Sequence, residues 1–318
     1  MNDAPRSRIA LAFAAVYLLW GSTYLFIKYA VASIPPLGMA GVRFLLAGAI
    51  LYAYGRARGQ HPPRDVHWRS AAIVGTMLMV SNAAVAWSEQ YIPSGVASLL
   101  VAITPCWMIL FDWRGQRDRR PTVGVTIGLL AGLCGLVILV GPGSLRGEGG
   151  LDVRAALVVI VGSAIWSAGS LYARHAPRPS SPQLLSGMQM LCGGGVLTVV
   201  AAVTGQWRGF SISATPAVAW WAFLYLVTFG SLVAFSAYMY LLTVTTAARV
   251  STYAYVNPVV AVLLGWLVAG ESLTPRILLA SAVIVGAVAL IVTFGAAGPP
   301  SRSPIKTDEY PIASTDAA

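Results

Sequence analysis

Ten mostly apolar stretches follow one another along this chain, at 9–30, 36–55, 70–88, 95–111, 122–141, 153–174, 182–203, 216–242, 247–269 and 275–294. Wound as a helix, a run of about twenty residues crosses a hydrocarbon layer of roughly 30 Å. No water inside that layer can satisfy a bare N–H or C=O, so each run must pair its backbone internally. The chain is therefore predicted to be all-α, a polytopic membrane protein with ten transmembrane helices. Only 10% of its 318 residues are charged, against about a quarter in a soluble domain. The connections are too short to hold a soluble domain.

The first run and the sixth carry the same pattern. Leu19-Trp20-Gly21-Ser22-Thr23-Tyr24-Leu25-Phe26-Ile27-Lys28-Tyr29-Ala30 returns 146 positions later as Ile165-Trp166-Ser167-Ala168-Gly169-Ser170-Leu171-Tyr172-Ala173-Arg174-His175-Ala176. Pro36 and Gly41 meet Pro182 and Gly187 at the same offset. Further on the offset is 153, pairing Trp87 with Tyr240, Ser94 with Ala247, Ser98 with Ser251 and Pro105 with Pro258. Each half holds five spans, an odd number, so the second half is predicted to lie inverted in the membrane. Inverted repeats give a carrier two equivalent gates. The predicted division is a tail at 1–8, repeats at 9–141 and 153–295, a linker at 142–152 and a disordered tail at 296–318.

The net charge of +10 sets orientation. With loops assigned alternately to two sides, fifteen Lys and Arg fall on the side of both termini and five on the other. Positive loops stay inside, so both termini are expected in the cytoplasm and nucleic acid is not an expected partner. The run 9–30 is long for a signal peptide and has no cleavage pattern at its end. Cys106, Cys134 and Cys192 lie within spans at no metal-binding spacing, and no cofactor is expected.

Trp20-Gly21-Ser22-Thr23-Tyr24, Gly41-Val42-Arg43-Phe44 and Ala254-Tyr255-Val256-Asn257-Pro258-Val259-Val260-Ala261 resemble the EamA-type transporters of the drug/metabolite transporter superfamily. Gly270-Glu271-Ser272-Leu273-Thr274 is similar to the motif that family carries between its last two helices. The resemblance implies a bacterial inner-membrane carrier, commonly an exporter of amino acids, related metabolites or drugs. It also implies a central cavity lined by spans 1, 3, 4, 6, 8 and 9. The first half has Gln116 where the second has Glu271, a departure from a symmetric motif.

Charges within or beside a span are costly, about 2.5–3.5 kcal/mol near a helix centre on insertion scales. Arg43, Lys28 and Glu89 are expected near one face, Glu89 pairing with Arg43 or Lys28. They read either as proton exchange and solute binding or as an ion pair fixing spans 1 to 3. Arg43 and Glu89 align with Gln189 and Leu242, so the repeat does not demand these charges. Asn82, two turns before Glu89, reads as cavity wall with Trp87 beside it, or as an interhelical hydrogen bond. Pro105 and Pro258 free carbonyls near Val101 and Ala254, which Thr104 and Asn257 could re-satisfy. Trp20, Tyr24, Trp166, Tyr240, Tyr253 and Tyr255 are candidate cavity aromatics, or packing between the halves. Gly124, Gly128 and Gly132 form a small-residue stripe, read as packing within the first half or as a dimer seam.

These residues suit a secondary transporter that moves a small-molecule solute by alternating access, coupled to protons or running as an exchange. Its expected surroundings are membrane lipid, as a monomer or homodimer. A membrane enzyme is disfavoured: the only histidines are His61, His67 and His175, no His-Glu-x-x-His occurs, and no P-loop is present. A channel or lipid scramblase is the alternative, although no selectivity-filter run or charged ring is visible.

Overall fold

The structure, a computed structural model, describes residues 5–61, 63–115, 122–145, 151–179, 181–245, 250 and 252–295, and every regular element among them is helical. The first three spans are α1 (Arg6–Val31), α2 (Pro36–Ala57) and α3 (Asp65–Ser88). The fourth is split into α4 (Ser94–Val101) and α5 (Thr104–Gly115), and α6 (Val123–Leu145) closes the first half. The second half opens with α7 (Val153–Ala173) and α8 (Pro182–Val203). Its third span joins α9 (Ala217–Tyr225), a π-helical segment (Leu226–Val233) and α10 (Ala234–Val244). The last two are α11 (Tyr253–Ala269) and α12 (Pro275–Gly295). Nine spans among the described residues are long and apolar enough to cross a membrane, and α11 is a shorter apolar helix. Residues 146–150 of the linker expected at 142–152, Gln116 and the tail beyond Gly295 lie outside the described residues.

Local chemistry sets the helix starts. Pro36 and Pro182 occupy first positions, where a missing N–H costs nothing. Asp152 and Ser181 cap α7 and α8 by accepting from the Ala155 and Leu184 N–H groups at 3.0 and 3.3 Å. The Ala155 N–H, with smaller help from Arg154, holds the Asp152 carboxyl below its usual range against a small opposing effect of desolvation.

The helix directions follow from contacts at the two ends of α3. Ala86 packs with Ile27, Ala30 and Val31, so the C-terminal ends of α1 and α3 meet. The Ser88 hydroxyl donates to the Ala155 carbonyl at 3.0 Å, placing the start of α7 at that same end. At the other end the Ser70 hydroxyl donates to the Pro177 carbonyl, just beyond α7. Thus α1 runs with α3 and α7 runs against both. The matching first helices of the two halves point in opposite directions, as an inverted repeat requires.

The halves interleave. α2 crosses α8 backbone to backbone: a Cβ on Gly41 would stand 2.8 Å from Thr198 N and 3.1 Å from Gly194 O, and one on Gly48 2.9 Å from Gly187 O. The reverse also holds, with Gly194 and Gly187 facing Gly41 O and Gly48 O at 2.9 and 3.0 Å. Gly48 and Gly194 stand at the repeat offset, as do Gly41 and Gly187, so this crossing is the local twofold. The same symmetry relates two other contacts. Gly21 lies against Asn257 O, where a Cβ would be 3.3 Å away, and its counterpart Ser167 donates to Thr104 O at 3.1 Å.

Two expectations are corrected. The glycine stripe of α6 packs mostly across to the other half; only at Gly132 does its own half come close, with Cys106 Sγ 3.4 Å from where a Cβ would stand. Gly124, Gly128 and Gly135 receive Phe294, Ile291 and Ile284 of α12, the last span of the other half. The proline interruptions are not matched either. α4 ends at Val101, three residues before α5 begins, whereas the equivalent Tyr255 and Val256 are helical and α11 runs unbroken through Pro258. Pro258 sits close to the start of α11, so the donor it lacks would have served only the first turn. In the fourth span the Thr104 hydroxyl donates to the freed Val101 carbonyl at 2.5 Å.

Candidate functional site

Polar contacts run the length of α1. At its C-terminal end, Lys28 Nζ meets Glu271 Oε1 at 2.6 Å. Glu271 is delivered by the turn after α11, where Gly270 adopts φ 66° and caps the helix. Its carboxylate sits on the first turn of α4: the Ser94 N–H and hydroxyl donate to Oε1 at 2.7 and 2.8 Å, and the Gly95 N–H donates to Oε2 at 3.1 Å. Unpaired amides at a helix start make a natural carboxylate seat. Burial pushes the Glu271 carboxyl up, but Lys28, Gly95 and Ser94 together outweigh it and hold the group below its ordinary range. One side chain thereby fastens α1, α4 and the α11–α12 turn.

The expected pairing of Glu89 is corrected. Lys28 is taken by Glu271, and Arg43 bonds elsewhere. Glu89 is 4% exposed, and neither carboxylate oxygen meets a donor among the described residues. It lies within electrostatic reach of Lys28, Glu271 and Tyr24. The helix start of α4 offers Glu271 three donors besides Lys28, and Glu89 at the end of α3 has none comparable.

Deeper in the bundle, Arg43 of α2 is 5% exposed. Its Nε donates to Ser231 Oγ at 2.9 Å. Ser231 and Gly230 belong to the π-helical segment, whose widened turn shifts the register of an otherwise regular span. A Cβ on Gly230 would stand 3.0 Å from Thr23 Cγ2 and 3.1 Å from Arg43 Nη2, so only glycine lets the guanidinium, α1 and this segment meet. Trp20 Nε1 donates to the Gly230 carbonyl at 3.1 Å. Just before the segment, the Tyr225 and Ser22 hydroxyls share a hydrogen bond of 2.7 Å.

The aromatic candidates divide. Trp20 and Tyr253 come together, ring centroids 5.1 Å apart, with Tyr238 at 5.1 Å from Trp20 and Phe235 beyond. Tyr240 packs in the same cluster. Tyr24 and Trp87 belong to another group around α3, α4 and α11, with Tyr255, and Trp87 also packs on Tyr91 at 4.9 Å. Trp166 is half-buried on α7. The Asn82 amide donates to the Leu78 carbonyl of its own helix at 3.1 Å. Asn257 is buried with its Oδ1 unpartnered among the described residues, beside the buried Pro258. Pro105 opens α5.

Sequence reading passed over Glu271 and Ser94 as pairing partners, and Gly230, Ser231 and Tyr238 altogether. For Glu271 a signal was present: alternate loop assignment puts it on the same side as Lys28. For the π-helical segment the only cue was a Gly-Ser pair within an apolar run.

The sequence pattern described as the EamA-like transporter family matches this chain twice, over residues 7–141 and 153–293. The chain belongs to that family. Among relatives of the EamA-like chain is the "Uncharacterized inner membrane transporter YedA" of Escherichia coli K12, 38% identical over 284 residues, covering 88% of this chain and 89% of that one. The "Uncharacterized transporter YoaV" of Bacillus subtilis is 22% identical, over 87% and 94% of the two chains. A solved protein described only as "Crystal structure of protein" shares the fold with a TM-score of 0.59 at 22% identity, over 90% of this chain and 97% of that one. The protein is thus a many-spanning membrane protein of a transporter family.

Proposed function

We propose that this EamA-like protein is a secondary transporter, not an enzyme, that exports a small metabolite by alternating access from the inner membrane of a bacterium. Both termini lie in the cytoplasm in this reading, so Lys28 and Glu271 mark the periplasmic face. One observation carries the mechanism: a buried carboxylate without a donor, Glu89, stands beside an ion pair that ties three elements at one face. The ion pair holds that face closed. When Glu89 is ionised it competes with Glu271 for Lys28, and when protonated it leaves the pair intact. Proton binding at Glu89 is therefore linked to which face is open, which is the requirement for proton-coupled exchange. The relatives' printed names support the transporter class, and the repeats at 9–141 and 153–295 supply the two moving bodies.

The test is counterflow in proteoliposomes loaded with a bacterial metabolite extract and followed by mass spectrometry. A carrier shows saturable, trans-stimulated exchange of particular solutes, with a rate that changes with pH. Glu89→Gln is expected to keep exchange and flatten its pH dependence. Unsaturable leakage would indicate a channel or scramblase instead. An unchanged pH profile in Glu89→Gln would remove the coupling role.

A further inference from the structure

Among the described residues the Arg43 guanidinium is a buried charge with no carboxylate beside it. Lys28 has Glu271, Asp152 and Arg154 face solvent, and Glu89 is compensated when it carries a proton. An arginine stays charged inside proteins, so Arg43 has no such escape. Among the described residues no carboxylate lies within ion-pair distance of it, and the one hydrogen bond its guanidinium makes is Nε to Ser231 Oγ. Four N–H donors are left over from the five it carries. The position lies seven residues into α2, about 10 Å along the helix. Anchoring α2 to its neighbour would need only a neutral donor. The repeat itself makes the point, since the matching place in the second half is Gln189, also buried.

The surroundings are shaped around that charge. Gly230 lets the segment lie close beside Nη2, where a Cβ would stand only 3.1 Å from it. The π-helical register turns Ser231 towards Nε, and the Gly230 carbonyl beside it accepts from Trp20. Among the described residues neither Nη of Arg43 meets a protein acceptor, while Nε is pinned by Ser231 and Cζ lies 4.8 Å from the centre of the Phe44 ring. A planar guanidinium with both Nη groups open matches a carboxylate held by two parallel hydrogen bonds.

We infer that Arg43 and Ser231 form a binding site for the carboxylate of the transported solute. The cargo class is then small organic acids and amino acids, not amines or neutral drugs. This rests on the transporter reading and narrows it.

The test uses the purified full-length protein in detergent and paired probes: L-alanine, L-phenylalanine and L-lactate against alaninamide, phenylalaninamide and lactamide. Thermal stabilisation is titrated with each. At least one acid is expected to stabilise the wild type in preference to its amide. R43Q should lose that preference, with apparent affinity falling about tenfold or more, the scale of a charge-assisted hydrogen bond. R43K keeps the charge without the fork and should recover part of it. If R43Q yields no folded protein, S231A, which leaves Arg43 in place, decides by an affinity loss of about fivefold. No difference between acids and amides in the wild type, or a preference that persists in both R43Q and S231A, overturns the site. Counterflow on the wild type reports separately, so a transporter indifferent to carboxylates and a protein that transports nothing give different results.

Discussion

Glu271 accepts four hydrogen bonds from two elements, α1 and α4, and its loss should be felt in both stability and pH response. Its carboxyl is held below the ordinary range, so the stabilisation is fully present above the unfolded value of about 4.3 and is lost as pH falls through the lower, folded value. Glu271→Gln is therefore expected to cost about 1–3 kcal/mol at neutral pH. Its melting temperature should then fall less steeply between pH 5 and 3, ranges taken from ordinary carboxylate behaviour at about pH 4. An acid-limb slope equal to that of the wild type would show that other carboxyls govern it. At this scale the sequence was half legible. It marked Lys28, Arg43 and Glu89 as costly residues that must matter, because few charges occur in the spans. It could not say which carboxylate Lys28 meets, since the partners are 243 positions apart and the decision belongs to the start of α4.

Among the elements, the α2–α8 crossing and the outer face of α12 make opposite predictions for the same substitution. Gly48→Ala would put a methyl 2.8 Å from Leu191 N and 2.9 Å from Gly187 O, both backbone atoms that cannot step aside. A loss of about 1–3 kcal/mol is expected, measured as melting in detergent. Gly286→Ala meets nothing within 4 Å and should be neutral or gain up to about 1 kcal/mol from helix propensity. Equal effects at both positions would mean the close crossing is not a determinant of stability. Span positions were readable from apolar run length alone, which is why 36–55 and Pro36–Ala57 nearly coincide. The breaks were not. Pro105 signals an interruption but does not fix its position at 102–103, and proline in the first turns of α11 disturbs little. The π-helical segment contains no proline, and its contacts, Gly230 with Trp20 and Thr23 and Ser231 with Arg43, join positions far apart in the chain.

For the whole molecule, opening of the Lys28 face requires the ion pair to part. Cysteines at 28 and 271, joined by a short thiol-reactive linker in a background without Cys106, Cys134 and Cys192, should stop exchange. Exchange should return when a cleavable linker is reduced. Flux that survives cross-linking would mean that this face need not open. The inverted arrangement was legible from the Trp20 and Trp166 repeat and from the odd number of spans in each half. How the halves interleave was not, because a small-residue stripe announces close packing without naming its partner, as α6 and α12 illustrate.

The four glycines where α2 meets α8 leave no slack for sliding or separation. A pair of bodies clasped so tightly can only turn about the clasp, so displacement during a cycle must vanish there and increase towards the periphery. In the proposed cycle solute would pass beside this hinge line, along the flank where α1 carries Lys28, and never through it.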